Sequence, residues 1–207
     1  MLVVHHLNHS RSQRVLWLLE ELSLPYEIKQ YQRNTETNLA PPELEAIHPL
    51  GKSPVLTDGK TTVIESGAII DYIIRRHGKG QLQPSLESTD YDEYQQWLHY
   101  AEGSAMLPLM LKLYTSRLGE AAAPLEPRIT SEISNHLGFV NQALTSKNWF
   151  VANTFSGADV QMSFVGEIAR VYGVLGSLPA LSSWVDRFQA RPAYKKALEK
   201  GGEYRFA

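Results

Sequence analysis

Over its first 78 residues the chain changes hydrophobic period repeatedly, and beyond them it stops doing so. Leu2–Leu7 is a short apolar run of strand length, closed by Asn8-His9-Ser10. From Ser12 the spacing becomes helical, with Val15, Leu18, Leu19 and Leu22 on one face and Pro25 beyond as a stop. Tyr26–Tyr31 alternates apolar and polar residues, as a half-exposed strand does. Residues 33–41 are polar and loop-like, and Pro41-Pro42-Glu43-Leu44 can open a short helix. Pro54-Val55-Leu56 and Thr62-Val63-Ile64 flank Asp58-Gly59, a hairpin signal. Ser66 then reads as the cap of a helix buried through Ile69, Ile70, Ile73 and Ile74, with Arg75, Arg76 and His77 in its last turn and Gly78 ending it.

The order β-α-β, an irregular stretch, then β-β-α predicts an α/β thioredoxin-like domain over residues 1–78. Residues 78–89 read as a linker. Helical spacing follows at 90–117, 127–145, 156–172, 180–190 and 192–200, with no strand, so a second, all-α domain is expected over 88–207. The longest apolar run, Ala105–Leu111, is broken by Pro108 and is far short of the roughly 20 residues that span a bilayer. A formal charge of −2 without a basic stripe speaks against nucleic-acid binding. Met1-Leu2-Val3-Val4 lacks the features of a signal peptide, so a cytoplasmic location is expected. The chain has no cysteine. A disulfide framework, a thiolate metal site and a cysteine nucleophile are therefore excluded, and any sulfur chemistry must use a sulfur brought by a ligand.

Few motifs survive scrutiny. Gly51-Lys52-Ser53 is not a phosphate-binding loop, because position 46 is Ala and Pro54 leads into a strand instead of a helix. The seven histidines lack metal-ligand spacing; His5 and His6 are expected on opposite faces of the first strand, as core or edge residues. Read alone, Pro54 is a trans proline opening an edge strand; a cis bond would instead turn the Ser53 N–H and C=O outward to pair with a bound peptide. Glu65-Ser66 at a helix start reads either as capping or as a site for an α-amino acid, the hydroxyl and helix terminus facing its carboxylate and Glu65 its amino group. Asn8–Ser12 contains hydroxyls that either cap the first helix or aim at a sulfur. Lowering a thiol from about 8.5 to about 6.5 takes roughly 2.7 kcal/mol. A charge-assisted hydrogen bond of about 1.5–3 kcal/mol with a helix terminus of about 0.3–1 kcal/mol suffices. Phe155-Ser156-Gly157-Ala158-Asp159 is a capping box with no catalytic part. Trp97–Met106 followed by Leu109, Met110, Leu113 and Tyr114 forms a Met and aromatic helix face, suited equally to core packing and to lining an apolar pocket.

In their order and spacing these pieces resemble the glutathione S-transferase superfamily over essentially the whole chain, in particular its bacterial and fungal Gtt-like serine-type members. The resemblance rests on His6–Leu22, His48–Leu56, Glu65–Ile69, Trp97–Gly103, Ala158-Asp159 and Arg191-Pro192. It implies a glutathione-binding thioredoxin-like domain and a helical domain carrying the hydrophobic substrate site. It implies that Pro54 is the family's cis-proline, with the Ser53 backbone pairing to the cysteinyl part of glutathione. Glu65 and Ser66 would hold the γ-glutamyl group and Lys52 would lie near the carboxylates, while His99, Met106, Met110 and Tyr114 would serve the apolar substrate. Glutathione is then the co-substrate, no metal is required, and the protein is expected to be a homodimer.

One departure bears on the thiolate site. Serine-type members place the thiolate-facing serine six residues before the first apolar residue of the helix, and that count from Val15 lands on His9. Ser10 is preferred as the donor, with Ser12 and His9 as alternatives. Conjugation of glutathione to an apolar electrophile is the leading expectation. Reduction of organic hydroperoxides and a non-catalytic glutathione-binding module are the alternatives.

Overall fold

The structure, a computed structural model, describes all of residues 1–207, which divide into two compact units. The first comprises Met1–Gln83 with Phe188–Ala207, and the second Pro84–Arg187. The division differs from one made along the chain at residues 78–88, because the last twenty residues pack with the first unit. Aromatic packing and ion pairing on the outer face of the first helix account for the difference.

The first unit holds a mixed sheet in the order β2-β1-β3-β4. β1 (Leu2–Leu7) pairs parallel to β2 (Tyr26–Tyr31) and antiparallel to β3 (Val55–Asp58), which turns through Gly59-Lys60 into β4 (Thr61–Val63). The parallel β1–β2 pair needs a crossover, and α1 (Ser12–Glu21) supplies it. A short α2 (Pro42–Glu45) follows β2, and α3 (Ser66–His77) follows β4. Gly78 closes α3 because of close approach: a Cβ there would stand 2.5 Å from the Ile74 carbonyl oxygen.

Helical spacing predicted one buried face for α1, yet every residue from Ser12 to Glu20 is buried. The second cover is α9 (Pro192–Gly201). Trp17 stacks on Phe188 and meets Tyr194 edge-on, both at 5.4 Å between ring centroids. Arg191 grips both oxygens of Glu21 at 2.5 and 2.8 Å. The buried Glu20 carboxylate receives Lys196 at 2.7 Å, the Tyr26 hydroxyl at 2.7 Å, and Lys200. Burial alone would push this carboxyl up; hydrogen bonds from Lys196, Lys200 and Tyr26 overcome it and hold Glu20 below the ordinary glutamate range.

The second unit is helical apart from an isolated bridge between Val151 and Thr154. The segment read as one helix over 90–117 is α4 (Thr89–Tyr100), a π-helical turn (Ala101–Ala105) and α5 (Met106–Thr115). Pro108 has no N–H for the carbonyl four residues back, at Ser104, and the wider turn lies over that gap. A 3₁₀ segment (Ser116–Ala122), α6 (Glu126–Ala143), α7 (Gly157–Val171) and α8 (Pro179–Gln189, of which Phe188 and Gln189 belong to the first unit) complete the helical elements, with a short 3₁₀ turn at Leu175–Ser177. The capping box is formed, and Asp159 does more than cap. Its buried carboxylate accepts from the N–H groups of Ser156 and Phe150, from the Ser156 hydroxyl, and from Trp184 Nε1. Trp97, Phe150 and Trp184 form the aromatic centre, with Phe150 4.4 Å from Trp97 and 5.0 Å from Trp184. No helix of the chain is long and apolar enough to cross a membrane.

Candidate functional site

The C-terminal end of β1 runs into Asn8 and His9, where the backbone reverses with His9 at a φ of 50°. Arg33 holds this turn: its N–H donates to Asn8 Oδ1 at 2.9 Å and its Nε to the Asn8 carbonyl at 3.2 Å. The turn delivers Ser10 to the start of α1, where its hydroxyl accepts the Ser12 N–H at 3.2 Å. Ser10 thus satisfies one of the helix's orphan N–H groups, and its oxygen sits at the positive end of the helix dipole.

Ser53 is brought to the same place. Its hydroxyl donates to the His5 carbonyl at 2.9 Å and accepts the Leu7 N–H at 3.2 Å, which pins it to β1. Ser10 Oγ lies 3.4 Å from Ser53 Oγ. The Ser53–Pro54 bond is cis, unlike the trans bond that the residues read alone favour. No other backbone group engages the Ser53 N–H or C=O. Pro54 is buried, whereas Lys52 is exposed.

Ser66 is not the cap of α3. Glu65 is the N-cap residue, exposed and at a φ of 65°, and Ser66 is the first helical residue. The buried Ser66 hydroxyl accepts from Arg14 Nη2 at 2.9 Å, which ties the start of α3 to α1. Ser10 and Ser53 are therefore in direct reach of each other, and Ser66 is linked through Arg14 to α1, the helix that Ser10 precedes.

The two alternatives to Ser10 are both engaged. His9 Nδ1 accepts the Arg205 N–H at 3.3 Å, and its Nε2 faces Glu203 at 3.8 Å. Burial lowers the His9 pKa; Glu203 opposes this, and Arg205 and Arg33 add to it. Ser12 Oγ is 2.8 Å from Ser10 Oγ and 2.8 Å from His6 Nδ1. His5 and His6 do point to opposite faces of β1. His5 Nδ1 meets the Tyr31 hydroxyl at 2.9 Å, and His6 Nε2 meets the Gly201 carbonyl at 3.1 Å. Burial lowers both, His6 to about 4, so both rings are neutral at neutral pH.

Arg14, His6 and Gly201 are the site residues that sequence reasoning missed. Alternation along β1 places His6 on one face, but nothing local marks a partner 195 residues away. No group of three or more His, Asp or Glu side chains is arranged to hold a metal ion.

In the second unit a cavity of about 970 Å³ is lined by Trp97, His99, Tyr100 and Phe139, with Asp92 and Lys147 among its polar residues. Of the four residues assigned to an apolar substrate, His99 alone lines it. Met106 is buried in the core, Met110 is half-buried, and Tyr114 is 57% exposed on α5.

Residues 1–75 match the family model "Glutathione S-transferase, N-terminal domain", and residues 105–192 match "Glutathione S-transferase, C-terminal domain". The chain is similar to Glutathione S-transferase 3 of Schizosaccharomyces pombe, at 33% identity over 97% of this chain and 88% of that protein. It is similar to Glutathione S-transferase 1 of Saccharomyces cerevisiae, also at 33% identity, over 95% of this chain and 94% of the relative. Among solved structures, a glutathione S-transferase from Actinobacillus pleuropneumoniae superposes with a TM-score of 0.90 at 33% identity, covering 100% of this chain and 95% of the other.

Proposed function

Because this chain belongs to the glutathione S-transferase family, we propose that it binds reduced glutathione, lowers the pKa of its thiol through Ser10, and adds the thiolate to an apolar electrophile. The observation that carries this reading is the Ser10 hydroxyl, held at the start of α1 by the Ser12 N–H and adjacent to Ser53. The Ser53 N–H and C=O, free of other backbone partners, suit antiparallel pairing with the cysteinyl residue of the tripeptide. Glu65 and Ser66 are assigned to the amino and carboxylate groups of its γ-glutamyl end, and the exposed Lys52 to its carboxylates. The apolar electrophile is assigned to the α4–α5 flank that carries His99, Met110 and Tyr114; Met106 supports that flank from the core.

Ser10 need not ionise; it has only to donate its proton to the sulfur. Ser10→Ala should raise the pKa of enzyme-bound glutathione by about 2, equivalent to roughly 2.7 kcal/mol, while largely sparing glutathione affinity. The measurement is a pH titration of thiolate absorbance beside a conjugation assay with a generic aryl halide. An unchanged thiol pKa would make Ser10 a helix cap only. Retention on immobilised glutathione without turnover would favour a binding module.

A further inference from the structure

The groups behind Ser10 form a chain that the thiolate reading leaves unused: Ser12 Oγ, the His6 ring, and the carbonyl of Gly201 at the end of α9. We infer that His6 is a positioning residue: held by the Gly201 carbonyl, it accepts the hydrogen bond of the Ser12 hydroxyl and leaves Ser10 the only hydroxyl of the pair whose proton can reach a sulfur. The inference rests on the glutathione reading for the identity of the sulfur, and on hydrogen-bond geometry around a neutral, buried His6 ring for where the protons lie.

A carbonyl oxygen can only accept, so the 3.1 Å contact between His6 Nε2 and the Gly201 carbonyl places a proton on Nε2. A neutral imidazole carries one N–H, and Nδ1 is therefore an acceptor. The partner of Nδ1 is Ser12 Oγ at 2.8 Å, whose single proton must point to it. Of the other acceptors near that hydroxyl, the Leu7 carbonyl is farther at 3.4 Å, and Ser10 Oγ at 2.8 Å has a proton of its own with which to donate instead. Ser12 Oγ then offers Ser10 only lone pairs across their 2.8 Å contact. The Ser10 proton rests on Ser12 at 2.8 Å or on Ser53 Oγ at 3.4 Å, or turns outward to an arriving sulfur; Ser12 has none to give. Burial keeps the ring neutral well below neutral pH, so this direction does not reverse in the working range.

Gly201 makes the contact possible. A Cβ at this position would stand 2.5 Å from Gln13 Oε1 and 3.3 Å from His6 Nε2. Only a residue without one brings the end of α9 this close. Its carbonyl is among the last of the helix, which lack an intrahelical donor, and the His6 N–H fills that place. The C-terminal helix, which joins the first unit against chain order, thereby sets which serine donates.

The test has two arms. In the first, the pKa of bound glutathione is titrated in the wild type and in S12A, S10A, S10A/H6L and S10A/H6N. S12A should leave the thiolate fraction no lower than in the wild type, whereas S10A lowers it. Leucine at position 6 removes the acceptor and frees the Ser12 proton, so S10A/H6L should regain about tenfold in thiolate fraction over S10A. Asparagine keeps an acceptor oxygen near the place of Nδ1, so S10A/H6N should stay with S10A. A loss in S12A as large as in S10A, or equal values for S10A/H6L and S10A, would overturn the inference. The second arm needs neither glutathione nor a variant: long-range ¹H–¹⁵N spectra of the free protein at neutral pH should show His6 as the Nε2–H tautomer. An Nδ1–H ring or an imidazolium would overturn it. Should the spectrum be as expected while S10A leaves the thiol unmoved, the thiolate role of Ser10 falls and takes the sulfur half of the inference with it.

Discussion

Replacing Asp159 with alanine isolates what one buried carboxylate contributes to the helical unit. Four donors converge on it: the N–H groups of Phe150 and Ser156 at 3.3 and 3.0 Å, the Ser156 hydroxyl at 3.3 Å, and Trp184 Nε1 at 3.0 Å. The carboxylate is fully buried, so water does not replace it easily. Leaving three N–H donors unpaired costs about 1 kcal/mol each at the low end of the range, the Ser156 N–H among them being the half of the capping box that Asp159 supplies. The sum is about 3 kcal/mol, at the upper end of what most single substitutions do. Urea denaturation followed by tryptophan fluorescence reads the change as a lower midpoint at unchanged slope. A pH dependence comes with it. Burial pushes the Asp159 carboxyl up to about 7 from an ordinary value of 3.8, against hydrogen bonds from Trp184, Ser156 and Phe150 that pull it down. The folded state therefore holds the proton more tightly than the unfolded chain. The stability arising from that difference is fully present below about 3.8 and is lost as pH rises through about 7. The penalty of D159A should accordingly be larger at pH 5 than at pH 8. A loss below about 1 kcal/mol, or a penalty that grows with pH, would refute the reasoning.

Two further predictions address helix packing in the two units. Gly166→Ala puts a Cβ 2.8 Å from both Trp184 Cζ3 and Val185 Cγ2 in the interior of the helical unit. Overpacking of this kind costs about 1–3 kcal/mol and should appear as a lower thermal midpoint. Glu20→Gln removes the carboxylate that Lys196, Lys200 and Tyr26 share, at a cost of about 2 kcal/mol given that both lysines are largely exposed. The folded value of Glu20 is depressed, so its contribution is present above the ordinary glutamate value and is lost as pH falls through the folded one. The gap in urea midpoint between wild type and E20Q should therefore be widest at neutral pH and close on acidification.

The strands and helices were legible because period and punctuation are local. Leu2–Leu7 and Tyr26–Tyr31 are strands over the residues that their runs indicate, and the capping box at Ser156 forms as read. Ser66 reads as a cap by residue type, but Glu65 takes the cap position and the Ser66 hydroxyl is drawn to Arg14. Residue type favours a role, and the side chain across the gap decides it. The unbroken helix read over 90–117 shows a similar limit. Pro108 announces a disturbance, but periodicity does not tell a kink from a π-helical turn.

The candidate site divides in the same way. Ser10, Ser12, Ser53, Glu65 and Ser66 could be picked out because hydroxyls at helix starts and a serine before a proline carry local signals. The proton direction among the serines depends on His6 and on a carbonyl 195 residues along the chain. By itself the sequence determined the order of elements, the absence of any cysteine sulfur, and the set of polar groups at the start of α1. The tertiary structure alone decided that α9 closes over α1 and that Gly201 sets the His6 ring, since hydrogen bonds and burial depend on distance in space, which the spacing of residues along a chain does not contain.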